Sequence, residues 1–378
     1  MTLSRQVLDK RVLACVGSGG VGKTTCSAAL GVRAAVEGKK ALVLTIDPAR
    51  RLANSLGLSS LGNVETRISD EQFRRAGLTP KGALWAMTLD LKLTWDELVT
   101  RYAPSEKRRE QILGNRLYRQ LSTALAGSLE YMAMEKVYGL SQSRDYDLIV
   151  LDTPPTTHAL DFLDAPNRLL DVLDNDAAKW LLTPALAAGE VGLKLVNLGG
   201  SYVAQTLAKF TGVDLLRELA QFLVAFGGMY DGFKERAARV KELLASEGAG
   251  FVLVTSPGPL PVDEAIFFAQ ALREARIPVQ AAVVNRVYAE RAPASVAELG
   301  AALAAENVPD EGGSLATRVG RTLANYAELA RADRVQIARL AAALGPGTPL
   351  HQVPRLAKDV HDIAGLWTVD RHLFDGGA

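Results

Sequence analysis

The chain has 378 residues, 48% of them hydrophobic and 22% charged, and a formal net charge of +1. This composition is typical of a globular protein of one large domain or two, and the charge gives no general attraction to nucleic acid or anionic membranes. No charge-free stretch reaches the ~18 apolar residues of a transmembrane helix, and residues 1–10 lack the apolar core of a signal peptide. The two cysteines, Cys15 and Cys26, form no disulfide framework, so we expect a cytoplasmic protein.

The first predicted strand, Arg11–Val16, leads into a glycine-rich loop, and a run of helix formers, Thr25–Ala35, follows it. The loop reads Gly17, Ser18, Gly19, Gly20, Val21, Gly22, Lys23, Thr24, Thr25. Strand, glycine loop and helix in this order predict a phosphate-binding loop whose N–H groups surround a phosphate chain. Lys23 is then expected at the β- and γ-phosphates, and the Thr24 hydroxyl is expected to coordinate Mg²⁺.

The second predicted strand, Lys39–Ile46, ends at Asp47. The carboxyl ends of parallel strands face the crevice where ligands bind in such sheets. Asp47 is therefore a candidate to orient or deprotonate a water molecule near the γ-phosphate. The alternative is that Asp47 caps a helix covering Ala49–Leu56.

A third strand is predicted at Leu84–Asp90, followed by a mostly helical region from Trp95 to Leu140. The next strand, Tyr146–Asp152, is apolar and ends in an aspartate, which is the Walker B pattern. Asp152 is expected to hold Mg²⁺, through a water molecule, alongside Thr24.

The segment Thr153–Leu160 contains two prolines and three threonines and is predicted to be a loop that changes state when the γ-phosphate leaves. Its His158 is more typical of a structural residue than of a base. Asn167–Glu247 is predominantly helical and unusually apolar. It either packs a core of its own or offers a groove to an apolar client, a membrane partner or a partner subunit.

The strand pattern resumes at Gly250–Thr255 and again at Val279–Asn285, with a helix at Val262–Glu274 between them. The amide of Asn285 suits an adenine ring, although asparagine is also a common turn former. The remaining predicted elements are helix over 294–344 with a break at 309–313, a strand at 350–353, and a helix from there through Ala364. The alternation predicts an α/β fold, a mostly parallel doubly wound sheet with helices on both faces, plus a helical subdomain from about 95–140 and 167–247.

Together, the phosphate loop, the Asp47-Pro48-Ala49 segment and the Asp152–Leu160 segment resemble the arsenical pump-driving and tail-anchored-protein-targeting ATPase family. The resemblance extends to Val283–Asn285 and to Val353–Pro354. It implies an ATPase in which Asp47 polarises the attacking water, Asp152 supports Mg²⁺, and Asn285 and Pro354 contact adenine. It also implies two chains per working unit, as a homodimer or a heterodimer with a related chain, closing over ATP.

Two features depart from that family. Its phosphate loop usually carries a second lysine, which reaches the partner's phosphates, where this chain has Ser18. Arg50, Arg51 or a different partner chain are candidates to supply the missing charge. Direct arsenite sensing is not expected, because soft metalloids need clustered thiolates and the chain has only Cys15 and Cys26.

Two other functions stay open from the sequence. One is a related ATPase of the septum-positioning or chromosome-partition kind, although the segment Leu356–His372 is too acidic and mixed for a basic membrane-binding helix. The other is a regulatory scaffold that binds nucleotide and hydrolyses it slowly or not at all.

Overall fold

The computed structural model describes residues 5–47, 49–124, 128–143, 145–154, 229–292 and 294–375. The predicted loop after Pro154, including His158, and most of the predicted apolar region Asn167–Glu247 lie outside these ranges. Within the described ranges, no helix combines the length and the apolar composition needed to cross a bilayer.

The strands of the sheet are β1 Val12–Val16, β2 Lys40–Thr45, β3 Thr66–Arg67, β4 Ala83–Thr88, β5 Leu148–Asp152, β6 Ala249–Thr255, β7 Val279–Val287 and β8 Leu350–Pro354. The helices are α1 Lys23–Val36, α2 Arg51–Ser55, α3 Asp70–Arg75, α4 Leu91–Tyr102, α5 Glu106–Gly114, α6 Arg116–Ala124, α7 Ser128–Ser143, α8 Tyr230–Ala245, α9 Pro259–Glu274, α10 Val296–Ala305, α11 Ser314–Leu344 and α12 Ile363–Phe374. Short 3-10 helices cover Arg5–Asp9 and Glu311–Gly313.

The eight strands form one sheet in the order β3-β4-β2-β5-β1-β6-β7-β8. The short edge strand β3 pairs antiparallel with β4, and the other neighbours pair in parallel. The predicted mostly parallel, doubly wound α/β sheet is confirmed. The strand order reverses at β1, so the phosphate loop that follows β1 lies at the switch point where ligands bind in sheets of this kind.

Both faces of the sheet are buried, which explains why the strands read as continuous apolar runs. Side chains of β1 alternate between the two faces, so Val12 and Ala14 belong to one core layer and Leu13 and Cys15 to the other. Helices α4 to α9 and α11 cover the first layer, and α1, α2, α3 and α12 cover the second.

The predicted ends of two elements are wrong. The strand expected to reach Asp90 ends at Thr88, and Asp90 instead caps α4 by accepting from the Leu93 N–H at 2.8 Å. The helix expected to end at Ala364 begins at Ile363, where Asp362 accepts from the Gly365 N–H at 2.8 Å. In both places a carboxylate cap sets the helix start, and a cap depends on local geometry that an apolar pattern does not reveal.

A buried ion pair fixes α12 against α1. The Arg33 guanidinium on α1 donates to both carboxylate oxygens of Asp370, at 2.9 and 3.1 Å from Nε, and to Asp375 at 3.0 Å. The rings of Trp367 and Phe374 lie 4.7 and 4.8 Å from the same guanidinium. The helix that opens at the phosphate loop is thus held at its far end by the last helix of the fold.

Candidate functional site

Two glycines let the phosphate loop lie directly against neighbouring strands. Gly17 has φ 148°, and a Cβ there would lie 1.9 Å from the Val254 carbonyl oxygen. Gly22, which precedes α1, has φ 100°, and a Cβ there would lie 2.1 Å from Nδ2 of Asn285. Both positions therefore require glycine, for backbone conformation and for space. The loop opens the 14-residue helix α1, whose first N–H groups and dipole favour a phosphate.

Lys23 folds back over this loop. Its Nζ donates to the carbonyl oxygens of Gly17 at 2.9 Å and Ser18 at 2.8 Å. Burial lowers the pKa of the Lys23 ammonium. The Ser18 hydroxyl is also buried and has no hydrogen-bond partner among the described residues. The centre of the loop thus holds a cation and a spare hydroxyl, both of which suit phosphate oxygens.

Asp152, at the end of β5, lies under the loop and is almost fully buried. Its Oδ2 accepts from the hydroxyls of Thr24 at 2.7 Å and Thr45 at 2.8 Å. Its Oδ1 has no partner among the described residues. Burial raises the pKa of Asp152 to about 6, against the opposing effect of the two hydroxyls. A buried carboxylate with one spare oxygen beside a hydroxyl fits a hard cation such as Mg²⁺, which takes oxygen ligands and retains water.

Asp47 follows β2 and lines a cleft next to the phosphate loop. Its Oδ1 accepts from the Ala49 N–H at 2.9 Å, and its Oδ2 forms a 3.0 Å ion pair with Arg51. The alternative that Asp47 caps the next helix is wrong, because α2 begins at Arg51 and Arg50 occupies the capping position. Each oxygen of Asp47 has one of these partners and keeps a second lone pair, so the carboxylate can also accept a hydrogen bond from a water molecule.

Asn285 and Pro354 lie on the other side of the cleft, near the ends of β7 and β8. Nδ2 of Asn285 donates to the Val21 carbonyl oxygen at 2.9 Å. Asn285 lies inside β7, which continues to Val287, so it does not form the turn that the alternative reading required. Pro354 pairs with Val287 in the sheet.

One cleft of about 1400 Å³, large enough for a nucleotide, is bordered by Lys23, Thr24, Asp47, Asn285 and Pro354. The first half of α11 forms its outer wall. Cationic side chains outnumber acidic ones among those lining it, seven to two. The cations are Lys23, Arg51, Arg286, Arg291, Arg318, Arg355 and Lys358, and the acids are Asp47 and Asp359. The balance favours an anionic ligand.

The structure brings Lys23, Thr24 and Asp47 together with Asn285 and Pro354 around this cleft. Sequence reasoning missed two polar residues of the site. Thr45 is the last residue of β2 and pairs in register with Asp152. Its place at the end of a predicted parallel strand is the signal that would have identified it. Arg286 lines the cleft next to Asn285, and no pattern in the sequence marked it.

Comparisons with known proteins match this chain over most of its length. A family model described as anion-transporting ATPase matches residues 10–306. The chain is 26% identical over 289 residues to ATPase GET3B of Arabidopsis thaliana, covering 72% of this chain and 62% of that protein. It is 27% identical over 300 residues to ATPase ARSA1 of Chlamydomonas reinhardtii, covering 75% of this chain and 35% of that protein.

A bacterial relative is matched over more of its length. A putative arsenical pump-driving ATPase 2 of Aquifex aeolicus is 28% identical over 290 residues, which cover 74% of this chain and 81% of that protein. In GET3B and ARSA1 the chain spans less than two thirds of the relative's length.

Proposed function

This chain belongs to the anion-transporting ATPase family, and we propose that it binds ATP with Mg²⁺ in the cleft and hydrolyses it. The observation that carries the proposal is the environment of Asp152. A buried carboxylate costs free energy unless it is paired, and here one oxygen is paired with two hydroxyls while the other has no described partner. A metal ion bound with the nucleotide would compensate that charge.

The proposed roles follow from the positions of the side chains. N–H groups of the loop from Gly17 to Thr25 and the Lys23 ammonium bind the phosphates. The Thr24 hydroxyl and Asp152 hold Mg²⁺, which would neutralise charge that develops on the phosphate oxygens. Asp47 orients or deprotonates the attacking water.

The nucleoside end is proposed to lie towards Asn285 and Pro354. Asn285 donates one amide hydrogen to the loop at Val21, which leaves its second amide hydrogen to reach a base. Pro354 ends β8 at the same edge of the sheet and offers an apolar surface to the ring.

We further propose that the chain is a single domain with a helical subdomain from about 95–140 and 167–247, and that it acts in the cytoplasm as a homodimer or heterodimer. Nucleotide state would then be coupled to an apolar protein client or a membrane partner. Support for the subdomain comes from α4 to α8, which pack together on one face of the sheet around Trp95, Tyr131 and Phe233.

A specific observation favours a second candidate, a scaffold that binds nucleotide and hydrolyses it slowly. Asp47 is held by Ala49 and Arg51, and the loop has Ser18 where the related ATPases usually carry a second lysine. The membrane-positioning alternative has less support, because α12 packs its apolar side chains on α1 instead of exposing them.

One experiment on the purified chain distinguishes the ATPase from the scaffold. ATP affinity and single-turnover hydrolysis are measured with and without Mg²⁺ for the wild type, Lys23→Ala and Arg51→Ala. The ATPase proposal expects Mg²⁺-dependent hydrolysis that Lys23→Ala abolishes. Tight binding without measurable hydrolysis would favour the scaffold, and unchanged binding and hydrolysis in Lys23→Ala would contradict both.

A further inference from the structure

Arg286 interrupts the pairing of β7 with β8. Asn285 pairs with Val353 and Val287 pairs with Pro354, so Arg286 is an extra residue with no partner on β8. Its φ is +64°, a left-handed conformation that favours glycine. A β-bulge changes the direction in which a side chain points. Non-glycine residues with a left-handed backbone are found most often at functional sites.

The bulge turns Arg286 towards the phosphate loop. Its neighbours Asn285 and Val287 are buried, whereas Arg286 is exposed to the cleft. Its Nη1 donates to the Gly20 carbonyl oxygen at 3.0 Å, and its backbone N–H donates to Oδ1 of Asn285 at 3.0 Å.

Two successive carbonyl groups of the loop are therefore held from β7. Asn285 binds the carbonyl of Val21, and Arg286 binds the carbonyl of Gly20. Because these carbonyls are engaged from outside, the adjoining N–H groups are free to face a bound anion. This contact also keeps a guanidinium at the glycine-rich part of the loop.

We propose that Arg286 is a second cation, beside Lys23, that binds the nucleotide phosphates: one N–H anchors it to Gly20, and its other donors bind a phosphate group. The inference rests on the proposed function. A guanidinium has five donors in a planar fork that matches phosphate oxygens, so one bond to the loop leaves several available.

The sequence offered two other arginines for this role, Arg50 and Arg51. Arg50 is not among the described residues that line the cleft. Arg51 shares its charge with Asp47 in a 3.0 Å ion pair. Within the described ranges no ion pair joins Arg286 to a carboxylate, so its positive charge is not cancelled locally. A nucleoside triphosphate, with its several negative charges, is the ligand class that this arrangement favours over an uncharged nucleoside.

The test is calorimetric titration of the full chain with Mg²⁺ and an ATP analogue that resists hydrolysis, together with thermal unfolding without nucleotide. Arg286→Met removes the charge, and Arg286→Gly also relieves the left-handed backbone. Both should weaken binding by about 10- to 100-fold, which is the loss of a charge-assisted hydrogen bond. Arg286→Lys should recover part of the affinity.

Arg321→Met is the matched control, because Arg321 is an exposed arginine of α11 outside the cleft lining and the change in net charge is the same. It should bind like the wild type. The Met and Gly variants should unfold at temperatures no lower than this control, and their affinity should depend less on salt than that of the wild type.

Affinity within twofold of the wild type in both variants would overturn the role of Arg286 and leave the proposed function intact. Weaker binding with an unchanged salt dependence and a lower unfolding temperature would show that Arg286 supports the fold of the loop and does not contact the nucleotide. A wild-type chain that binds no analogue would remove the proposed function and this inference together.

Discussion

Two buried carboxylates near opposite ends of α1 have the same chemistry and different surroundings. Asp152 lies by Thr24 in the first turn of the helix, and Asp370 lies by Arg33 in its last turns. Burial raises the pKa of both groups, to about 6 for Asp152 and about 7 for Asp370. Asp370 has an arginine on both oxygens, whereas Asp152 has two neutral hydroxyls on one oxygen and no described partner on the other.

The difference separates a structural charge from a ligand site. The pair at Asp370 is complete within the chain and joins α1 to α12, so it needs nothing from outside. Oδ1 of Asp152 has no partner among the described residues. Asp152 lies at the switch point of the sheet, so a cation bound there with a ligand would supply the positive charge that Asp152 lacks. The following predictions test this contrast.

The largest expected effect is on the structural pair. Arg33→Met leaves Asp370 buried without its cation and should lower the free energy of unfolding by about 3–5 kcal/mol. Urea denaturation measures this loss, and ATP affinity of the folded protein should not change. The double variant Arg33→Met/Asp370→Leu should recover most of the stability, because an apolar pair leaves no buried charge. A double variant as unstable as the single one would show that the charge is not the cause.

At the other carboxylate, Asp152→Asn removes the charge that is proposed to hold the metal. Mg²⁺-dependent hydrolysis should fall at least about 100-fold, which is roughly 2.7 kcal/mol of barrier. The nucleotide-free protein should be no less stable than the wild type, since a buried charge has been removed. Steady-state kinetics and thermal unfolding measure the two effects. Retained hydrolysis would place the metal elsewhere.

The pH dependence follows from the raised pKa of Asp152. The folded protein binds this proton more tightly than the unfolded chain, where the pKa is 3.8. The contribution of Asp152 to stability is therefore full below pH 3.8 and is lost as the pH rises through about 6. The free energy of unfolding of the wild type, relative to that of Asp152→Asn, should fall by about 3 kcal/mol across this window.

Metal binding should show the opposite trend over the same pH window. Mg²⁺ needs the ionised carboxylate, so the affinity for Mg²⁺ with ATP should rise with pH through about 6. Calorimetry at several pH values measures this trend. A flat profile would show that Asp152 does not titrate in the site.

The smallest expected effect concerns the hydroxyls on Asp152. Thr45→Val removes one donor and should cost about 1.5 kcal/mol of stability and raise the pH midpoint of the Asp152 effect. Thr255→Val is a matched control, because Thr255 also ends a parallel strand and donates to the Pro261 carbonyl oxygen at 2.9 Å. That variant should lose stability without moving the midpoint. Equal midpoints in both variants would contradict a direct link between Thr45 and Asp152.

Much of this arrangement could be predicted from the sequence, because it depends on short-range patterns. The sheet follows from apolar runs, and the loop follows from glycines that precede Lys23 and Thr24. The features that could not be predicted are contacts between distant parts of the chain. Arg33 and Asp370 are 337 residues apart, and the bulge at Arg286 depends on how β7 pairs with β8. Neither a single charged residue nor a single bulge leaves a periodic signal.

The role of Asp152 as a metal ligand is tested most directly by electron paramagnetic resonance of Mn²⁺ used in place of Mg²⁺, with saturating ATP analogue. We predict nucleotide-dependent binding of Mn²⁺ to the wild-type chain, which Asp152→Asn abolishes and Asp370→Asn leaves intact in the folded protein. Equal Mn²⁺ binding by the wild type and Asp152→Asn would contradict it.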